Sequence, residues 1–173
     1  MRREKIDPIS FRLMRRRALR QATRGFEVCG ALIRDENGII TLRGLRNLAT
    51  EPAKWMIKRS WLRAIRRELN PTKKRLVGTF HSHVGGFAYP SPKDLDSTWS
   101  GFLMMIYDTM DRRTGLWMPV IRNGCGRLRA IAVLCDSPKW DEKSATEYAM
   151  TLQQKFRSKE KRNQPSRSKN PKA

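Results

Sequence analysis

Residues 79–94 read Thr79-Phe80-His81-Ser82-His83-Val84-Gly85-Gly86-Phe87-Ala88-Tyr89-Pro90-Ser91-Pro92-Lys93-Asp94, and His81 and His83 are the only two histidines of the 173-residue chain. The apolar run from Leu76 predicts a buried strand that ends at His83. Residues i and i+2 of a strand share a face, so the two imidazoles stand side by side and Ser82 points the other way. Two neutral ring nitrogens begin a zinc site, and the third ligand has to return from elsewhere; Asp94 is the candidate. Gly85 and Gly86 relax the backbone of the connecting loop, and Pro90 and Pro92 stiffen its return. Ser91-Pro92-Lys93-Asp94 is at the same time an ordinary helix start, with serine as N-cap, proline at the first position and an acid at the third. The two uses are compatible, because a helix start is a rigid mount. Two histidines and one carboxylate leave a fourth tetrahedral position for water, the arrangement of a catalytic zinc. Zinc lowers the pKa of such a water from about 15.7 to about 7.

Outward from this stretch, strands and helices alternate. Residues 10–22 predict a basic amphipathic helix capped by Ser10, with Leu13, Met14, Ala18, Leu19 and Ala22 near one stripe. Phe26–Ile33 and Ile39–Leu45 predict a hairpin around Asp35-Glu36-Asn37-Gly38. Pro52–Leu69 predicts a second helix, with Trp55, Leu62, Ile65 and Leu69 apolar and the remainder strongly basic. Ser91 starts a helix to about Trp99. Leu103–Tyr107, Leu116–Ile121 and Arg127–Leu134 predict strands, with a turn at Asn123-Gly124-Cys125-Gly126, and Lys139 to about Arg157 a helix. The expected class is α/β, with a mostly antiparallel central sheet flanked by helices. Residues 1–157 are expected to form the domain, and 158–173 a disordered basic tail.

The net charge of +21 is concentrated in three places. Residues 1–24 carry +7, residues 52–75 carry +8 and residues 153–173 carry +7, so the rest, including the histidine motif, sums to −1. Charge so placed serves docking or a polyanionic partner rather than the chemistry of the motif. No run of about 18 apolar residues exists, so no transmembrane helix or membrane partner is expected. Cys29, Cys125 and Cys135 form no C-x-x-C pair. They read as small buried residues of a reducing compartment, and a cytoplasmic location is expected.

The pattern His81-x-His83-x7-Ser91-x2-Asp94 resembles that of the JAMM (MPN+) zinc metalloproteases, and the chain looks like a small stand-alone prokaryotic type. Glu27 in Phe26-Glu27-Val28-Cys29-Gly30 resembles the family's Glu-x-Cys-Gly strand. Asn47-Leu48-Ala49-Thr50-Glu51-Pro52-Ala53-Lys54-Trp55 is similar to the connection after its second strand. Val84 departs from the pattern, since many relatives have proline there. The resemblance implies the JAB/MPN fold, which is cytidine-deaminase-like. It implies that His81, His83 and Asp94 bind Zn2+, that Glu27 is the general base and acid, and that Ser91 donates a hydrogen bond to the oxyanion. It also implies cleavage of a peptide or isopeptide bond after the C-terminus of a ubiquitin-like protein or its conjugate. Precursor processing, sulfur-carrier and antiphage systems fall within that activity, with an activating or conjugating enzyme as a further partner. Gly85, Gly86 and Phe87 would flank a groove admitting a diglycine-type tail by strand addition.

Alternatives remain at this level. Asp96 competes with Asp94 as ligand, and Glu36 and Glu51 compete with Glu27 as base. The basic stretches fit a second function, a JAB-fold protein that binds nucleic acid or an acidic protein, with Trp55 and Trp61 stacking on bases. Their commonest role is nevertheless a solvated face.

Overall fold

The computed structural model describes residues 3–85, 87–97, 101–122 and 125–134. Gly86, the end of the third helix near Trp99, the 123–124 turn, Cys135, the expected helix at 139–157 and the tail at 158–173 lie outside the described residues. No helix among the described residues is long and apolar enough to cross a membrane.

Seven strands are described: β1 (Arg3–Ile6), β2 (Cys29–Arg34), β3 (Ile39–Leu45), β4 (Arg75–His83), β5 (Leu103–Asp108), β6 (Thr114–Arg122) and β7 (Cys125–Leu134). They close into a barrel in the order β1-β3-β2-β4-β5-β6-β7. Pairing is antiparallel for β2 with β3 and β4, and for β6 with β5 and β7. It is parallel between β4 and β5 and on both sides of β1. The expected α/β class with a mostly antiparallel sheet is therefore observed. β1 was not anticipated, because four residues with alternating charge carry too little pattern.

Parallel strands need a crossover. The chain leaves β4 at His83, passes through the glycine loop and α3 (Pro92–Ser97), and returns as β5. This places the loop and the start of α3 beside the C-terminal end of β4.

Helix α1 (Pro8–Ala22) starts two residues before its expected position. Asp7, not Ser10, is its N-cap: Asp7 Oδ2 accepts the Ser10 N–H at 2.7 Å. The Ser10 hydroxyl instead accepts the Leu42 N–H at 3.1 Å, tying α1 to β3. Phe11, Met14 and Ala18 pack with Leu32, Ile40, Leu42, Phe80, Met105 and Tyr107 in the largest core cluster. On the opposite face of β2, Ala31 and Ile33 meet Leu62, Ile65 and Leu69 of α2 (Arg59–Leu69). A strand covered on both faces reads as one apolar run, which is the character of Cys29–Ile33 and of β5.

Two further expectations are corrected by the structure. The second helix does not begin at Pro52 but at Arg59. Ala53 adopts a left-handed φ of 50°, which cannot continue a helix, and its N–H donates to the Gly25 carbonyl at 2.9 Å. Residues 47–58 form an irregular strap with a turn at 51–53 instead, and Trp55 belongs to that strap rather than to a basic helix. Glu27 also lies just before β2 rather than inside it. Gly30, three residues on, has a packing reason: a Cβ there would come within 2.2 Å of the Arg43 carbonyl and 2.4 Å of the Phe80 ring.

Candidate metal centre

His81 and His83 close β4 on one face, as the strand period requires. Their Nε2 atoms are 3.0 Å apart. Asp94 Oδ1 is 3.3 Å from His81 Nε2, and Asp94 Oδ2 is 3.5 Å from His83 Nε2. One ligand atom from each of the three residues falls within 4.8 Å of the others, so the trio could hold a metal ion. His81 and Asp94 are buried, and His83 is half-buried at the mouth.

The hydrogen bonds around the trio fit a cation. His83 Nδ1 lies 2.8 Å from the Phe87 carbonyl, which can only accept, so Nδ1 carries the proton and Nε2 presents a lone pair. Such a backbone partner is the usual way a ligating histidine is oriented. The His83 carbonyl accepts from the Thr109 N–H and hydroxyl, at 3.1 and 2.9 Å, fixing the strand end. Two Nε2 atoms and a carboxylate thus converge, an arrangement that a positive ion would satisfy.

Electrostatics agrees. Burial works against ionisation of Asp94, but hydrogen bonds from His81, His83 and Ser91 and the charge of His81 hold its carboxyl well below the usual range. Burial also disfavours charge on His81 and lowers its pKa, despite the pull of Asp94. At His83 burial is outweighed by hydrogen bonds to Asp94 and the Phe87 carbonyl, and its pKa is raised.

Asp94 sits in a reciprocal cap at the start of α3. Its Oδ2 accepts the Ser91 N–H and the Ser91 hydroxyl, both at 2.7 Å, while Ser91 Oγ accepts the Asp94 N–H at 3.3 Å. The expected capping role and the expected ligand position therefore coexist. The single hydroxyl proton of Ser91 is directed at Asp94, so donation to another oxygen requires it to rotate.

Glu27 is buried beside the trio. Burial is the main cause that pushes its pKa up to about 7; the nearby Asp94 charge adds to this, while His83 and a hydrogen bond from the Val84 backbone oppose it. Its backbone is anchored on both sides. The Glu27 carbonyl accepts the Asn47 side-chain amide at 3.0 Å. The next N–H, of Val28, donates to Ser82 Oγ at 2.9 Å, which confirms that Ser82 faces away from the imidazoles. Glu36 and Glu51, the competing bases, are exposed at the surface and pair with Lys73 and Lys54. The Asp96 side chain lies outside the described ones.

In the loop, Gly85 adopts φ +71°, the conformation its residue type permits. Phe87 is exposed and stacks on Tyr89, with ring centroids 5.3 Å apart. Two residues of the site were not singled out by their sequence pattern. The Trp55 ring stacks on His81 at 4.6 Å and 18°, and its N–H donates to Asp94 Oδ1 at 2.9 Å. Asn47 uses both ends of its amide to hold the strap. Asn47, Pro52 and the turn-forming residues between them were the available signal, and the apolar seven-residue spacing from Trp55 to Leu62 obscured it.

With fold and site in place, the class is defined. Residues 11–119, well over half the chain, match the family described as prokaryotic homologs of the JAB domain, and the chain belongs to it. Among curated proteins it is similar to the Desampylase of Pyrococcus furiosus, 37% identical over 71 residues, which are 40% of this chain and 50% of that protein. The chain thus matches about half the length of that relative. Two solution structures share the fold. A protein from Desulfitobacterium hafniense superposes with a TM-score of 0.57 at 21% identity, covering 76% of this chain and 93% of its own. One from Salinibacter ruber superposes with 0.51 at 19%, covering 79% and 94%.

Proposed function

We propose that the protein is a zinc-dependent isopeptidase or peptidase that cleaves after the C-terminus of a ubiquitin-like protein, in a conjugate or a precursor. The convergence of His81, His83 and Asp94 at the end of β4, with a buried carboxylate beside them, carries this reading. The relative named Desampylase supports the substrate class. His81, His83 and Asp94 would hold the ion, and zinc bound there supplies a Lewis acid and lowers the pKa of water to about 7. Glu27 accepts a proton on its carboxylate and returns it to the leaving amine. Ser91 Oγ turns from Asp94 to donate to the oxygen that gains charge. Gly85 and Phe87 border the approach to His83 and contact the extended tail; Gly86 is proposed with them.

The test is cleavage of a ubiquitin-like protein fused or isopeptide-linked to a reporter at its C-terminus. Wild type should release the reporter, and Glu27→Gln should lose about 10²–10⁴ in rate. Equal rates would remove Glu27 from its role.

A second reading, binding of a polyanion, is favoured by one observation. Arg59, Arg63, Arg66 and Arg67 of α2 are exposed, and none has a carboxylate partner among the described residues. Binding to nucleic acid that weakens steeply with salt would support it. Binding that is weak even at low salt would discard it.

A further inference from the structure

We propose that Trp55 is a positioning residue of the metal centre: its indole N–H takes up one lone pair of Asp94 Oδ1 while its ring holds His81, so that Asp94 offers the ion a single oxygen. This rests on the reading of His81, His83 and Asp94 as ligands.

An ionised carboxylate has about four in-plane lone-pair positions. On Asp94 the Ser91 N–H and hydroxyl fill both positions of Oδ2. The Trp55 N–H fills one of Oδ1. With both Ser91 donors in place, the position left is on Oδ1, 3.3 Å from His81 Nε2, while Oδ2, although 3.5 Å from His83 Nε2, has none to spare. The carboxylate is thereby prepared to bind an ion through one oxygen, and a zinc held by that oxygen and two imidazoles would have a position left for a reactant. Without the indole, Oδ1 regains a lone pair and the carboxylate is free to swing toward two-oxygen binding.

The same ring packs nearly parallel to His81, 4.6 Å away. It covers one face of an imidazole that is wholly buried, fixing its plane and keeping water from that side.

The strap is built to deliver this side chain. Asn47 Nδ2 donates to the Lys54 carbonyl at 2.9 Å, and Asn47 Oδ1 accepts the Met56 N–H at 3.0 Å, so the backbone is gripped on both sides of Trp55. The same Nδ2 donates to the Glu27 carbonyl at 3.0 Å. One amide therefore sets the spacing between the proposed base and the residue that orients Asp94. Among the described residues Trp55 is in none of the three hydrophobic clusters, and its ring contact and its hydrogen bond are both with ligand candidates, His81 and Asp94.

The experiment uses Co2+ as a spectroscopic substitute for zinc, with affinity measured by chelator competition. Wild type should bind one Co2+ and show the strong visible absorption of a four-coordinate ion. Trp55→Phe keeps the ring face and removes the N–H. It should fold normally, bind Co2+ about 10–100-fold more weakly, and show the weaker absorption of a five-coordinate ion. Asn47→Ser keeps the indole but releases the strap; it should also weaken binding, and it decides the matter if Trp55→Phe does not fold. A Trp55→Phe protein with wild-type affinity and spectrum overturns the positioning role alone, as does an unaltered Asn47→Ser protein if Trp55→Phe is unfolded. A wild type that binds no Co2+, or a His81→Ala protein that binds it equally well, overturns the ligand reading and this inference together.

Discussion

In the proposed mechanism Glu27 moves a proton and Ser91 donates a hydrogen bond. Glu27 is held in a buried position where its pKa is pushed up to about 7. Its folded pKa is above the ordinary value of 4.5, so the folded metal-free protein binds a proton there that the unfolded chain has already lost. The contribution of Glu27 to stability is therefore greatest in acid and falls as pH rises from about 4.5 through about 7. His81 pulls the other way, so the comparison has to be with Glu27→Gln. In chelator, wild type should lose stability relative to Glu27→Gln between pH 5 and 8, measured by denaturant unfolding. A constant difference would show that Glu27 is not buried as described. A bound cation favours the carboxylate, so the acid limb of activity should lie below about pH 7 and vanish in Glu27→Gln. For Ser91, the alanine variant should lose about 10²–10³ in kcat. It also removes one of the two bonds to Asp94 Oδ2, so metal affinity should be measured beside the rate.

At the scale of elements, legibility tracked how far each signal was local. The period-two placement of His81 and His83, the cap at Ser91 and the hairpin over 35–38 depend on neighbours in sequence, and each is found in the structure. The closing of the barrel by β1 depends on partners more than 30 residues away in β3 and over 120 away in β7, which no local pattern shows. Trp55 is the clearest failure. Its apolar side chain fitted a helical stripe, yet a long-range bond from Ala53 to Gly25 and the grip of Asn47 draw it into the site. The roles proposed for Glu27 and Ser91 rest on family resemblance, since a lone glutamate before a strand carries no chemistry by itself. Packing predicts two further outcomes. Ile65→Ala, in the seam between α2 and β2, should cost about 2–5 kcal/mol of unfolding free energy without altering the rate per folded molecule. Gly30→Ala should cost about 1–3 kcal/mol or prevent folding, because Arg43 and Phe80 leave no room for a methyl group. Neither should alter metal stoichiometry in the folded fraction.

For the molecule as a whole, the basic surface and the candidate metal site are separate. The site is mounted where β4, the glycine loop, α3 and the strap meet, while the described excess of positive charge lies largely on α1, α2 and the residues beside them. Replacing Arg63, Arg66 and Arg67 by glutamate should therefore weaken any binding to nucleic acid and leave hydrolysis of a small reporter substrate unchanged. Zinc at about a hundred times its dissociation constant should raise the free energy of unfolding by about 2.7 kcal/mol, read as a rise in Tm that is absent in His81→Ala. The most direct test of the central claim is the rate of cleavage of a ubiquitin-like fusion by protein stripped with chelator and then titrated with zinc. The stripped protein should be inactive and recover fully with one equivalent of zinc, and zinc should not rescue His81→Ala. Full activity in the stripped protein would contradict the account.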